Sequence, residues 1–331
     1  MSMSTPLISI IMPVKNAGPF LEACLDSIQN QSYKNYELIA INDHSSDNSL
    51  EILHNYVHCF ASLLVLNNNG LGIIDALKTG YAAQNGQFIT RMDADDSMPP
   101  KKLEYLLDSL QNAGDGYVAT GLVKYFSEGQ LGEGYQKYEA WLNGLTEASR
   151  NFDERYKECV IPSPCWMMKT SDFEKIGGFN STTYPEDYDL VFRMFEGEMK
   201  VVGVREICHH WRDHGQRASR NDENYADNNF LDLKLSYFLK LDYKPNKELF
   251  LWGAGNKGKY LAKQLIQQNI PFQWVCNNPK KIGKHIYDKI LGDTFKSKPN
   301  EETQIIVAVA NEESQESIKQ VLHSTQAYYF A

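Results

Sequence analysis

The chain has 331 residues, 42% of them hydrophobic and 12% aromatic, which is enough for one large domain or two and excludes disorder by composition. Its net charge of −9 argues against non-specific binding of nucleic acid, and no nucleic-acid partner is expected. The six scattered cysteines include no C-x-x-C pair, so they signal neither a zinc ribbon nor a disulfide scaffold and fit reduced thiols in a cytoplasm.

The first residues, "MSMSTPLISIIMPV", carry no basic segment, and their apolar run is too short for a signal peptide or a membrane span. No other stretch approaches 18 apolar residues. We therefore expect a cytoplasmic protein, for which a peripheral contact with the inner face of the cell membrane remains open.

The first hundred residues predict strands alternating with helices. Short apolar runs typical of buried strands occupy residues 7–12, 37–42, 62–66 and 86–92. The stretches between them place apolar residues at helical spacing. This order predicts a mainly parallel α/β sheet with helices on both faces, in which ligands bind beyond the carboxyl ends of the strands.

An acidic turn, "RMDADDSMPP", follows the fourth predicted strand. Asp93 and Asp95 have the i, i+2 spacing that lets two carboxylates face one divalent cation, which keeps further positions for phosphate oxygens. The alternative is that Asp96 and Ser97 cap a helix beginning near Pro99. Both interpretations can hold, with Asp96 as the cap and the other two acids as ligands.

A second acidic pair, Glu186 and Asp187 in "PEDYD", lies where a helix is expected to begin. First-turn acids are stabilised by the helix dipole, which is one explanation of the pair. A carboxylate that takes a proton from an attacking hydroxyl is the other.

Three ordered stretches resemble a family 2 glycosyltransferase of the GT-A fold, over about residues 7 to 220. They are "SIIMPVKNAGPFLEACLDSIQNQSYKNYELIAINDHSSDNS", "GQFITRMDADDSMPPKKLE" and "GGFNSTTYPEDYDLVFRM". The resemblance implies an inverting enzyme that binds a nucleoside-diphosphate sugar with Mn²⁺ or Mg²⁺. It also implies a glycan or lipid-linked acceptor in the synthesis of a bacterial surface polysaccharide or glycolipid.

The same resemblance implies roles for individual residues. Four residues match donor-nucleotide contacts: Pro13, Asp43, Arg91 and Asp93. Asp95 joins Asp93 as a metal ligand, and His214, in the segment "CHHWRDHGQRAS", completes the metal shell or contacts the diphosphate.

Asp187 matches the general base of inverting members. Glu186 and Trp166 are candidates for the acceptor side, although Trp166 could equally pack in the core. Asn42 and His44 depart from the family pattern beside Asp43, which leaves the shape of the nucleoside pocket open.

The last ninety residues repeat the strand–helix pattern. Gly253, Gly255 and Gly258 form G-x-G-x-x-G between a predicted strand and helix, as in a small Rossmann-like domain and a nucleotide site. The segment also resembles the small nucleotide-binding domains of sugar-modifying acetyltransferases. Cys276, Asn277 and Asn278 lie where a dinucleotide site would place an acid, which argues against NAD.

We predict a glycosyltransferase domain over residues 1–222, a linker helix over 223–244 and a Rossmann-like α/β domain over 245–331. The linker helix is inferred from Phe230, Leu233 and Tyr237, at spacings of three and four. The alternative function is an NAD-dependent oxidoreductase or nucleotide sensor acting through the C-terminal glycines. The aromatic stretch 124–145 is either an acceptor loop or a subunit contact. A homo-oligomer therefore remains open, through that stretch or through the C-terminal domain.

Overall fold

The computed structural model describes residues 5–127, 129, 131–215, 217, 229–293, 300–322 and 326–331. The chain divides into two compact units. The first contains Met1–Asp153 and Cys159–Arg217, and the second contains Glu154–Glu158 and Ala218–Ala331. The predicted domain limits did not anticipate that a five-residue segment from the middle of the chain groups with the second unit.

The first unit is built on a sheet of seven strands. They are β1 (Ile8–Val14), β2 (Tyr36–Asn42), β3 (Leu63–Asn67), β4 (Phe88–Arg91), β5 (Tyr117–Phe126), β6 (Trp166–Lys169) and β7 (Lys200–Arg212). Their order is β3-β2-β1-β4-β6-β5-β7, and β6 alone runs antiparallel to its neighbours. The predicted mainly parallel α/β fold is confirmed.

Helices connect and cover these strands. They are α1 (Gly18–Gln29), α2 (Ser49–Tyr56), α3 (Gly72–Ala82), α4 (Lys102–Ala113), α5 (Glu133–Glu147), α6 (Thr170–Lys175) and α7 (Glu186–Glu196). In α1 the helical spacing of Leu21, Cys24, Leu25 and Ile28 buries all four side chains. They join the apolar residues of β1 and β2 in the main core of this unit.

The connection from β3 back to β4 fixes where a ligand can reach the sheet. The chain adds β2 and β3 on one side of β1 and then returns to place β4 on the other side. In such sheets the crevice at the reversal, beyond the carboxyl ends of the strands, is the usual ligand site. Here that crevice lies beyond the ends of β1 and β4.

The second unit contains another parallel sheet. Its strands are β8 (Glu248–Trp252), β9 (Gln273–Cys276), β12 (Gly292–Asp293), β13 (Thr303–Val307) and β14 (Gln326–Tyr329), in the order β12-β9-β8-β13-β14. A separate hairpin joins β10 (His285–Ile286) and β11 (Lys289–Ile290). The helices are α8 (Asn229–Tyr237), continued by a π-helix over Phe238–Asp242, α9 (Asn256–Gln267) and α10 (Glu312–Val321).

The buried face of α8 differs from the predicted one. Leu233 is buried as expected, but Phe230 and Tyr237 are only half-buried. Leu231 and Leu235 are buried instead. These positions cover more than one helical stripe, so α8 is buried on more than one side.

An aromatic cluster ties the segment Glu154–Glu158 into the second unit. Tyr156 is 2% exposed and stacks on Phe330, with ring centroids 5.2 Å apart and planes 8° from parallel. Phe238 and Tyr328 pack against the same ring edge-on. The Tyr156 hydroxyl donates to Asp242, so this ring is held by packing and by a hydrogen bond.

Candidate active site

Polar side chains gather where the parallel strands of the first unit end. Asp43 follows β2, Asn68 follows β3, and Arg91 is the last residue of β4. The parallel register pairs Val14 with Asn42 and Asn42 with Asn67, so these ends lie side by side. The sequence analysis predicted that Asp43 and the acidic turn lie at one edge of the sheet. In the structure both lie at that edge.

Asp43 is buried and accepts three hydrogen bonds. One carboxylate oxygen accepts from Asn68 Nδ2 at 2.6 Å and the Gly72 amide at 3.0 Å, and the other accepts from Lys15 Nζ at 3.1 Å. Burial alone would raise the pKa of Asp43, but these hydrogen bonds outweigh it and lower the pKa. Asp43 is therefore a fixed anion beside the half-buried Pro13 of β1.

Residues of β7 hold the acidic turn in place through hydrogen bonds. Asp96 is 1% exposed, and its two oxygens lie 2.8 Å from His209 Nε2 and from the Arg212 backbone amide. Arg212 Nε donates to the Asp95 carbonyl at 2.8 Å. The expectation that Asp96 caps the next helix is wrong, since α4 begins only at Lys102 and the carboxylate points to β7.

His214, two residues after the end of β7, also contacts the acidic turn. Its Nε2 lies 2.8 Å from Asp95 Oδ2, and its ring packs on Phe20 with centroids 4.3 Å apart. The buried Nδ1 has no hydrogen-bond partner among the residues that the structure describes. Across that part of the chain, no three His, Cys, Asp or Glu residues are arranged to hold a metal ion by themselves.

Arg91 connects the acidic turn to the second acidic pair. Its guanidinium contacts Asp93 Oδ1 at 2.9 Å and Glu186 Oε1 at 2.8 Å. Burial would lower the pKa of Arg91, but the two carboxylates outweigh burial and raise it, so the group stays charged. The pKa of Asp93 is raised by its burial, against the effect of Arg91. One cation thus fixes two predicted site residues from segments far apart in sequence.

Asp187 lies in the first turn of α7, directly after Glu186. Burial raises its pKa to about 7, and the Glu186 charge adds to that shift. Arg91 and a hydrogen bond from the Tyr188 amide, 2.8 Å long, act in the opposite direction. A carboxyl with this pKa can both accept and release a proton near neutrality.

A shallow pocket that is partly open to solvent lies at these carboxylates. It is lined by Arg91, Ile161, Ser163, Trp166, Phe179, Glu186, Asp187, Leu190, Val191 and Met194. Trp166 is 2% exposed and stacks on Phe173 at 5.5 Å. It therefore packs in the core while it borders the pocket, and its acceptor role stays a prediction.

The C-terminal glycines form a tight turn in the second unit. Gly253 has φ of 125°, and a Cβ on Gly258 would lie 2.2 Å from the Gly253 carbonyl oxygen. Gly255 precedes the first residue of α9. Lys281 Nζ donates to the Ala254 carbonyl at 2.9 Å, on the same turn. A nucleotide role for these glycines stays a prediction.

Sequence reasoning missed Lys15, Asn68 and Ser163. Asn68 carried a signal, because it follows the third predicted strand and so had to join the same edge of the sheet. Lys15 and Ser163 gave none, since their significance depends on the neighbours that folding brings to them.

A sequence model of the family described as glycosyl transferase family 2 matches residues 9–177, just over half of the chain. An uncharacterized glycosyltransferase of Haemophilus influenzae is 32% identical over 145 residues, which cover 42% of this chain and 45% of that protein. This chain therefore spans less than half the length of that relative.

Two solved structures share the fold. TarS 1–349 of S. aureus, in complex with UDP-GlcNAc, gives a TM-score of 0.52 at 15% identity and covers 72% of this chain and 68% of its own. The mannosyltransferase PcManGT of Pyrobaculum calidifontis, in complex with GDP-Man and Mn²⁺, gives 0.52 at 13% identity and covers 80% and 81%. With the extended match to the family model, the conclusion is that the chain belongs to glycosyl transferase family 2.

Proposed function

We propose that the protein is a metal-dependent, inverting glycosyltransferase that moves a sugar from a nucleoside-diphosphate donor to a hydroxyl group. The observation that carries this proposal is the Arg91 bridge. It joins Asp93, in the acidic turn, to Glu186, beside an Asp187 whose pKa is about 7. The acidic turn and the candidate base Asp187 are thus held in fixed positions relative to each other.

Asp187 supplies the base in this proposal. An acceptor hydroxyl attacks the anomeric carbon while Asp187 takes its proton, and the nucleoside diphosphate leaves on the opposite face of the sugar. Attack and departure on opposite faces invert the configuration. Arg91 donates to Glu186 Oε1 at 2.8 Å, which holds that second carboxylate in place.

The donor nucleotide would lie across the ends of β1 and β2. Asp43 presents a buried anion there that can accept an N–H from a base, with Pro13 beside it and Lys15 at the rim. A UDP-sugar fits the donor in this proposal, and one structural neighbour contains UDP-GlcNAc.

The charges of the site fit a divalent cation. Three carboxylates, on Asp93, Glu186 and Asp187, lie near the buried cation Arg91. Asp95 adds a fourth negative charge beside Asp93, and an anionic diphosphate would add more. Asp93, Asp95 and His214 would hold Mn²⁺ or Mg²⁺ together with phosphate oxygens, since such ions accept a few protein ligands plus phosphate. Bound there, the ion would act as a Lewis acid for the leaving phosphate.

The alternative of an oxidoreductase or nucleotide sensor is not favoured. The family match lies at residues 9–177, outside the glycine turn. The strand β9 ends at Cys276 and is followed by Asn277, where a dinucleotide site needs an acid for the ribose.

The acceptor in this proposal is a glycan or lipid-linked glycan of a bacterial surface polysaccharide, reached from the cytoplasmic side. Among the described residues, no helix is both long and apolar enough to span a bilayer. Contact with a membrane-bound acceptor would then be peripheral.

The test is a panel of UDP- and GDP-sugars, each assayed for hydrolysis with Mn²⁺, with Mg²⁺ and with a chelator. We expect one or more donors to be hydrolysed only with a divalent ion. Failure of every donor to bind or react in the presence of either ion would contradict the proposal.

A further inference from the structure

A small hairpin in the second unit presents apolar side chains to solvent. It joins β10 to β11, and its cross-strand pair His285 and Ile290 shares one face. Ile290 is 61% exposed, and Tyr287, in the turn, is 49% exposed. They are two of the six large hydrophobic side chains that are exposed in the described part of the chain. The hairpin therefore concentrates apolar surface that is elsewhere scattered singly.

The turn of the hairpin fixes the tyrosine at its tip. Tyr287 and Asp288 have φ of 51° and 60°, as a two-residue type I′ turn requires. Such turns usually contain Asn or Gly, and a bulky side chain at a positive φ is uncommon. The Tyr287 ring lies nearly parallel to that of Trp274 in β9, with 6.3 Å between centroids and 12° between planes. The ring is therefore supported by the sheet while the residue stays half exposed.

Lysines flank these apolar side chains. The segment 280–290, which forms the hairpin patch, contains four of them and a single acid, Asp288. They are Lys280, Lys281, Lys284 and Lys289. Lys280 and Lys284 are exposed, whereas Lys289 Nζ lies over the Phe272 ring, 5.3 Å from its centroid. The hairpin patch is thus locally basic in a chain whose net charge is −9.

The combination of positive charge and apolar surface indicates the kind of partner. Lysines alone would keep a short exposed hairpin from pairing with another strand, but that purpose does not explain the exposure of Ile290 and Tyr287. A nucleic acid would pair with the lysines and leave the isoleucine in water. An anionic bilayer accommodates both, because its phosphates attract ammonium groups and its headgroup region accepts apolar and aromatic side chains.

We propose that the hairpin patch binds an anionic phospholipid surface. Ile290 and Tyr287 enter the headgroup region, and Lys280 and Lys284 face the lipid phosphates. Each contribution is small, so the two together give binding that is specific for anionic membranes and reversible.

This inference rests on the proposed function for its purpose, since it assigns the peripheral contact with a membrane-bound acceptor to a surface of the second unit. Vesicle binding is measured without donor or acceptor, so either proposal can fail while the other stands.

The experiment is co-sedimentation of the full chain with vesicles of phosphatidylcholine, and with vesicles of phosphatidylcholine mixed with phosphatidylglycerol. We expect binding to the mixed vesicles only. Raising the salt concentration should weaken it, because salt screens exposed charges.

The charge contribution is tested by Lys280→Gln combined with Lys284→Gln. The double variant should bind the mixed vesicles roughly ten- to thirtyfold more weakly, since each lysine near the surface contributes about a factor of five. Lys263→Gln with Lys319→Gln is the matched control, because it removes two exposed lysines from α9 and α10 and the same net charge. It should bind as the wild type does.

The apolar contribution is tested by Ile290→Ser, which should weaken binding roughly three- to tenfold. Val321→Ser removes a side chain of α10 that is 51% exposed and is the matched control, with no change expected. Thermal melting checks that all the variants fold.

Equal binding to both kinds of vesicle, or binding to neither, would overturn the inference. So would lysine variants of the hairpin patch that bind the mixed vesicles as tightly as their control. A light-scattering mass of two chains that Ile290→Ser reduces to one would also overturn it, because the hairpin patch would then be a contact between copies.

Discussion

The half-buried Asp187 carboxyl lies next to another acid, and its pKa of about 7 sets the pH at which it can take a proton. If it is the base, turnover should rise with pH up to about 7 and then level off. Asp187→Asn should keep donor affinity and lower kcat by at least ~10²-fold. Steady-state kinetics across pH 5–9 and calorimetric titration with the donor measure the two quantities.

Glu198→Gln is the matched control for that experiment, because Glu198 is an exposed acid just after α7. It should leave turnover and its pH profile unchanged. Near-normal transfer by Asp187→Asn would assign Asp187 a structural role instead.

The same raised pKa has a consequence for stability. An unfolded aspartate titrates near ~4, so between that pH and about 7 the folded state holds a proton that the unfolded state has lost. The contribution of Asp187 to stability is therefore full below ~4 and is lost as the pH rises through 7.

Asp187→Asn should consequently be more stable than the wild type at pH 8, with the difference shrinking toward pH 4. Urea unfolding at the two pH values measures this change. A variant that is equally destabilised at both would show that the carboxyl is not held neutral by its surroundings.

Asp95 is the residue on which metal binding can be tested most directly. Its side chain is 31% exposed and contacts His214, so its removal should leave the core unchanged. Asp95→Ala is expected to abolish Mn²⁺-dependent donor binding while the melting temperature changes little. Asp108→Ala, an exposed acid on α4, is the control. Unchanged donor affinity in calorimetry would remove Asp95 from the metal site.

At the scale of elements, the turn from β8 into α9 depends on how closely the helix approaches the strand. A methyl group on Gly258 would lie 2.2 Å from the Gly253 carbonyl oxygen, whereas one on Gly255 would meet nothing within 4 Å. Gly258→Ala should therefore destabilise the second unit by about 1–3 kcal/mol, the usual range for overpacking. Gly255→Ala is its matched control.

Urea unfolding followed by tryptophan fluorescence would report this difference, since Trp252 and Trp274 lie in β8 and β9. Two variants of equal stability would mean that the turn adjusts to the methyl group.

The elements themselves were largely predictable, because local signals specify them. Apolar β-branched runs predicted the first four strands, and the helical spacing of apolar residues predicted α1. The antiparallel β6 was not foreseen, since strand direction depends on the path of the chain and not on local pattern.

Site residues could be predicted only where their position directly after a predicted strand indicated which edge of the sheet they occupy. Asp43 and the acidic turn follow strands, so their common edge could be inferred. Asp96 and His209 are 113 positions apart, and no local pattern links them.

At the scale of the whole molecule, the two units are not consecutive pieces of sequence. Arg155 pairs with Asp242, and Tyr156 packs on Phe330, so the second unit includes a segment that precedes its main stretch in the sequence. A chain cut after residue 243 keeps every predicted donor and metal residue. We expect it to bind the donor with unchanged Kd but to be less soluble, because Tyr156 loses Tyr328 and Phe330.

Light scattering and donor titration of the shortened chain measure both effects. Tyr156→Ala in the full chain is the companion variant and should lower stability without changing donor affinity. Loss of donor binding in a shortened chain that is still folded would show that the second unit shapes the donor site.

Fluorescence titration with NADH should detect no tight binding to the full chain, because the ribose-binding acid is missing after β9.

The stacking of Tyr156 on Phe330 also orders events during synthesis on the ribosome. Tyr156 leaves the exit tunnel long before Phe330 has been added, whereas nascent chains generally fold from the N-terminus onward. The first unit can close its sheet as soon as β7 emerges, but the Tyr156 ring then remains without its partners Tyr328 and Phe330. The nascent chain therefore exposes an aromatic side chain during most of the translation of the second unit. A chaperone would act in this interval.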